Sequence, residues 1–157
     1  WFSEIYIWDA FPILKQSFQN QITSVINKNT GNVNAYIRAA VVVNWLDSEG
    51  NIVPSVPAGY GYTLTVNTVE ENPNSKWVKG TDGYYYYTLP VEPKKETMDS
   101  LLTCTVIYPE GSETREYTPS VEILATAVQS VPERAVQAAW GADFTIKEDG
   151  SLDVPQG

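Results

Sequence analysis

Residues Asn34 to Leu46 alternate with period two: Ala35, Ile37, Ala39, Val41 and Val43 fall on one face, and Tyr36, Arg38, Ala40, Val42 and Asn44 on the other. Successive side chains of a strand point to opposite sides, so the uniformly apolar set predicts a strand lying on a core. Weaker alternation predicts further strands over 19–26, 60–66 and 84–89, around 101–108, and over 117–129, where Val121, Ile123, Ala125 and Ala127 share one side. Ser3 to Trp8 reads as a short edge strand whose pairing ends at Pro12.

Turn chemistry separates these runs. Asn27-Lys28-Asn29-Thr30-Gly31-Asn32 supplies residues that tolerate positive φ, and Asp47-Ser48-Glu49-Gly50-Asn51 reads as a hairpin loop leading to Ile52-Val53. Lys79 to Gly83 has the length and glycine content of a hairpin connection between Trp77-Val78 and Tyr84 to Leu89. Pro90 to Lys95 reads as a loop, and Pro109 to Ser112 as a turn. One helix is predicted after Ser130: Ser130 and Glu133 have capping-box spacing, Pro132 suits the first turn, and Gly141 closes the element. Its apolar face, Ala135, Val136, Ala139 and Trp140, is expected to anchor it through Trp140 at one end of the fold.

About eight strands with turns at short intervals predict an all-β chain, an antiparallel β-sandwich of jelly-roll-like form with one short helix near the C-terminus. Residues 1–147 are expected to form one domain, with a candidate edge or donor strand at 1–10, and 148–157 an acidic flexible tail. A chain of 157 residues buries about 70% of its unfolded surface, enough for a core without disulfides or metals.

Charge narrows the function. The net charge is −9, and residues 70–157 hold fifteen acids against seven bases. Such a field repels phosphate backbones and anionic lipid, so nucleic acid is not an expected partner. No apolar stretch approaches the roughly 20 residues that span a bilayer, so membrane insertion of the mature chain is not expected either. The chain begins Trp1-Phe2-Ser3 without Met, as after removal of an export signal.

The chemistry available is sparse. With no histidine, Ser-His-Asp and Cys-His catalysis and the usual zinc sites have no base or ligand. Cys104 lies in the apolar run 101–107 and reads as a buried structural thiol. The acid pairs Glu70-Glu71 and Glu148-Asp149 lie in loop or tail sequence, where solvated charge outweighs a glycosidase role. Asp47, Ser48, Glu49 and Asn51 could offer oxygen ligands to calcium but lack the EF-hand pattern. No catalytic residue, metal or cofactor is therefore expected. Trp77 with Tyr84, Tyr85, Tyr86 and Tyr87 is a candidate partner or glycan surface, although alternation sends half of the tyrosines to each face. Ile5, Tyr6, Ile7 and Trp8 form a candidate donor strand, which pairs either within its own sheet or with the next molecule.

Three segments in order resemble the TasA and camelysin family of Gram-positive exported proteins: Val25 to Arg38 with its Asn29-Thr30-Gly31 turn, read as a hairpin; Trp77 followed by Asp82-Gly83-Tyr84-Tyr85-Tyr86-Tyr87 and Leu89; and Val121 to Gln129 leading to Ala138-Ala139-Trp140-Gly141. The resemblance spans roughly residues 20–141. It implies a jelly-roll-like sandwich, release by a dedicated signal peptidase, and a non-catalytic structural role at the cell surface or in a biofilm matrix, with self-association or pairing with other surface proteins, including fibres formed by strand addition. The peptidase label of camelysin-like members does not carry over, because no HExxH motif can exist without histidine. The alternative function is a secreted, adhesin-like carbohydrate- or ligand-binding module.

Overall fold

A computed structural model describes residues 2–7, 13–17, 23–111 and 116–156, with side chains over 27–111 and 116–156. Within them lie β1 (Phe2–Ile7), β2 (Ile13–Ser17), β3 (Thr23–Asn29), β4 (Ala35–Leu46), β5 (Ile52–Val53), β6 (Gly61–Val66), β7 (Trp77–Lys79), β8 (Tyr85–Val91), β9 (Leu102–Ile107), β10 (Thr118–Gln129), α1 (Glu133–Trp140), β11 (Thr145–Ile146) and β12 (Leu152–Asp153). One sheet has the order β1-β3-β9-β6 and the other β2-β10-β4-β8-β7, with β5 also on β4; β11 and β12 form a small hairpin. The fold is an all-β sandwich with one short helix. Its named strand pairs are antiparallel except β1 with β3.

β4 is the spine. It pairs with β10 without interruption from Ala35↔Gln129 to Leu46↔Thr118. Its odd-numbered face packs inward as the alternation predicts, with Ile37 and Ala39 buried and Val41 and Val43 against the same core. Register lines up Trp77, Tyr87 and Ile37 across β7, β8 and β4. From the opposing sheet Leu102, Cys104 and Val106 of β9 meet them. Trp77 is fully buried beside Tyr87, with ring centroids 5.2 Å apart. Its indole N–H donates to the Asp99 carbonyl at 3.2 Å, and the Tyr87 hydroxyl accepts from the Met98 amide at 3.0 Å, so neither buried ring leaves its polar atom unmatched.

Several local expectations change. Asn29-Thr30-Gly31 is not a hairpin turn, because β3 and β4 belong to different sheets. The buried Asn29 side chain holds this crossing: its amide donates to the carbonyls of Val33 at 2.8 Å and Val91 at 2.7 Å, and its oxygen accepts from the Gly31 amide. β8 runs through Pro90 to Val91, where a loop was expected. Between Ala35↔Val91 and Ile37↔Tyr87 one β4 residue, Tyr36, faces three of β8, Thr88 to Pro90, an irregularity that accommodates a residue without an N–H. β2 was missed, and positions 8–12, 18–22 and 112–115 lie outside the described residues.

The even-numbered face of β4 carries a second core. Tyr36 and Tyr86 are buried there under Val136 of α1, Phe144, Leu152 and Val154. Within the expected tail, 148–157, the described residues 148–156 are packed and not a flexible tail: Leu152 is 1% exposed, and the Tyr36 hydroxyl donates to the Gly150 carbonyl at 2.7 Å. The helix lies on the outer face of the sheet and not at one end, and Val136 is its buried anchor, with Trp140 half-buried. No capping box forms, since α1 begins at Glu133 and its N-cap is Pro132. Glu133 instead accepts the Ile146 amide at 2.8 Å and clips the helix to β11.

A third apolar group closes the far end of the sandwich. Tyr60 packs edge-on against Trp45, Tyr108 and Tyr117, at centroid distances of 6.2, 6.0 and 5.3 Å. These contacts join β4 and the start of β6 to the end of β9 and the start of β10, and so link the two sheets at this end, with Trp45 and Tyr108 also against the main core.

Two stability predictions follow from this packing. Asn27 is fully buried, and among the described residues neither polar atom of its carboxamide has a hydrogen-bond partner. We expect Asn27→Leu to raise the unfolding free energy by about 1–3 kcal/mol in urea titrations, by removing an unmatched polar group; a loss of stability would show that the amide is matched, for example by internal water. The second concerns Tyr86, whose hydroxyl donates to Asp82 Oδ2 at 2.6 Å and accepts from Arg38 Nη1 at 3.3 Å. Burial foremost, and the bond to Asp82 next, push its phenol up to about 12, against the opposing pull of Arg38. Both states hold the proton below the unfolded value near 10. Above it the unfolded chain ionises first, so this stabilisation is complete below pH 10 and is lost as pH rises toward 12. Tyr86→Phe should flatten that alkaline decline in thermal melts without abolishing it, because burial also raises Tyr36 and Tyr87. An unchanged pH profile in the variant would refute this assignment.

Candidate functional site

The N-terminal strand has a definite place. β1 lies at the edge of the four-stranded sheet, parallel to β3, with Ile5, Tyr6 and Ile7 opposite Asn27, Lys28 and Asn29. Trp8, the fourth residue of the candidate donor strand, lies outside the described residues. Parallel partners cannot be joined by a tight turn, and here the chain passes through β2 in the other sheet before returning as β3. Among the described residues no strand pairs with the outer edge of β1.

The tyrosine run does not form an aromatic platform. Trp77 and Tyr87 belong to the main core and Tyr86 to the second, with exposures of 0%, 2% and 0%. Alternation does send them to opposite faces, but this stretch of sheet is covered on both. Tyr84 and Tyr85 are half-buried: the Arg38 guanidinium lies 4.2 Å from the Tyr84 ring centroid, and Lys79 Nζ lies 5.9 Å from that of Tyr85. Gly80 is required by the same packing, since a Cβ there would approach the Tyr86 ring to 2.7 Å.

The other candidate residues fall as follows. Cys104 is buried between the sheets, and burial pushes its thiol up, away from the thiolate a nucleophile needs. Glu70, Glu71, Glu148 and Asp149 are exposed, and Asp149 caps its own turn by accepting the Ser151 amide at 2.9 Å. Asp47 likewise accepts the amides of Glu49 and Asn51, at 2.9 and 2.8 Å, making the 47–51 loop a closed hairpin turn.

One concavity was not foreseen. A groove of about 710 Å³ runs over the outer face of the β4–β10 pair, between the Asn29–Val33 crossing, Lys94 and the end of α1. Arg38 and Thr126 lie at its floor, and register sets Arg38 between Thr126 of β10 and the buried Tyr86 of β8. Arg38 Nε donates to Thr126 Oγ1 at 3.1 Å and Nη1 to the Tyr86 hydroxyl, while Asp82 stands 3.9 Å from Nη1. The guanidinium also faces the Trp140 ring at 5.4 Å. On the rim Lys94 sits at φ 63°, in the left-handed region, and its ammonium donates to the Thr30 carbonyl. The sequence signal for this site was an arginine on the solvent-side register of the strongest strand, but its aromatic and cationic neighbours are far away in the chain.

No protein-family model, curated protein or solved structure matches this chain.

Proposed function

We propose that the chain is a non-catalytic, exported structural protein of the cell surface or extracellular matrix, which associates with copies of itself or with other surface proteins by strand addition. The observation that carries this reading is the edge position of β1, six residues in unbroken parallel register with β3 at the border of the sheet. A strand paired at a sheet edge can exchange for the same strand of another copy, because the acceptor edge of β3 is unchanged by the swap. The resemblance of three ordered motifs to the TasA and camelysin family supports the extracellular setting. A histidine-free sequence and a buried Cys104 support a role without catalysis.

Deleting residues 1–10 tests the proposal by sedimentation velocity over a concentration series, with far-UV circular dichroism to verify the sheet. The full chain should associate with rising concentration while the truncated chain remains a monomer. Equal association of the two would rule out strand donation.

A further inference from the structure

We propose that the groove over β4 and β10 is a binding site for a carboxylate-bearing saccharide. Its walls invert the charge of the molecule: the chain carries 19 acids against 10 bases, yet the two charged residues lining the groove are Arg38 and Lys94. Asp82, which partly offsets Arg38, does not line it. An anion approaching elsewhere meets a repulsive field, and here it meets two cations.

Arg38 is prepared for such a ligand. Its Nε and Nη1 are held by Thr126 and Tyr86, and neither of those bonds uses Nη2. A guanidinium already fixed in one orientation loses little freedom when it takes a carboxylate oxygen. Lys94 adds an ammonium whose bond to the Thr30 carbonyl uses one of its three protons. A left-handed φ at a non-glycine residue is a local cost that the fold retains while this side chain stands at the rim.

The remaining walls favour a sugar over a bare anion or an acidic peptide. A volume of about 710 Å³ falls within the range of small-molecule sites and far exceeds what a lone carboxylate or phosphate would fill. Asn32 and Gln129 offer amides for ring hydroxyls, and Trp140 offers an indole, the usual partner of an apolar sugar face. Arg38 and Thr126 at the floor of the groove belong to the sheet that does not contain β1, while Asn29 of β3 lines one wall.

The test is isothermal calorimetry of the full chain at low salt with trigalacturonate, its fully methyl-esterified form and hexaglutamate. Trigalacturonate should bind, weaken with added salt, and lose about tenfold or more in affinity in Lys94→Glu, the size expected for a lost charge-assisted contact, and in Asn32→Asp, where an added carboxylate repels that of the ligand. Asn32 is exposed, so Asn32→Asp keeps the test valid if Lys94→Glu disturbs the loop. The proposal is overturned if trigalacturonate does not bind, or if the methyl ester binds as well, since no carboxylate is then read. It is equally overturned if hexaglutamate matches the sugar, or if both variants bind as the parent does.

Discussion

The twelve-residue pairing of β4 with β10 is the constraint on which everything else rests, because each face of that ribbon carries its own core. The side-chain period of a strand is two, so a slip of one residue would send Ile37 and Ala39 outward and Tyr36 and Arg38 between the sheets. Neither face could tolerate it. The main core would receive a guanidinium without its partners, and α1 would lose the tyrosine against which it packs. Register is therefore specified twice, once from each side.

How much of this was legible depended on the distance over which a residue is satisfied. The inward face of β4 could be read from five alternating apolar residues, since their burial follows from strand geometry alone. The burial of Tyr36 could not, because its hydroxyl partner Gly150 lies 114 positions away. Leu152 and Val154 flank a single aspartate in a strand of two residues, too short to display a period, so an acidic composition suggested a tail where a packed hairpin stands. The tyrosine run was misleading for a related reason. Alternation correctly divides Tyr84 and Tyr86 from Tyr85 and Tyr87, but it cannot reveal that a helix covers the outer side as closely as the opposite sheet covers the inner.

Local motifs failed where a tertiary partner took over their role. Ser130 and Glu133 have the spacing of a capping box, yet the helix starts at Glu133, whose carboxylate serves Ile146 thirteen residues on. Asn29-Thr30-Gly31 has hairpin composition, but the Asn29 side chain reaches Val91 and turns the segment into a bridge between sheets. In both cases a polar side chain that sequence assigns to its neighbours is used to join distant elements.

The outer face of the six-stranded sheet is only partly covered, and that explains where the groove lies. α1 and the C-terminal hairpin shield Tyr36 and Tyr86, whereas Val42 and Leu124, further along the same ribbon, remain 42% and 37% exposed. Arg38 stands at the border. It is close enough to the second core for its guanidinium to lie 4.2 Å from the Tyr84 ring centroid and 5.4 Å from that of Trp140, and open enough to meet solvent, with 19% of the side chain exposed. An aliphatic residue there would extend the apolar patch already begun by Val42 and Leu124. A lysine could not bond to Thr126 and Tyr86 together through a planar fork. The arginine thus ends the second core and starts the groove, and the one register that buries Tyr36 also brings that cation to the surface of an acidic molecule.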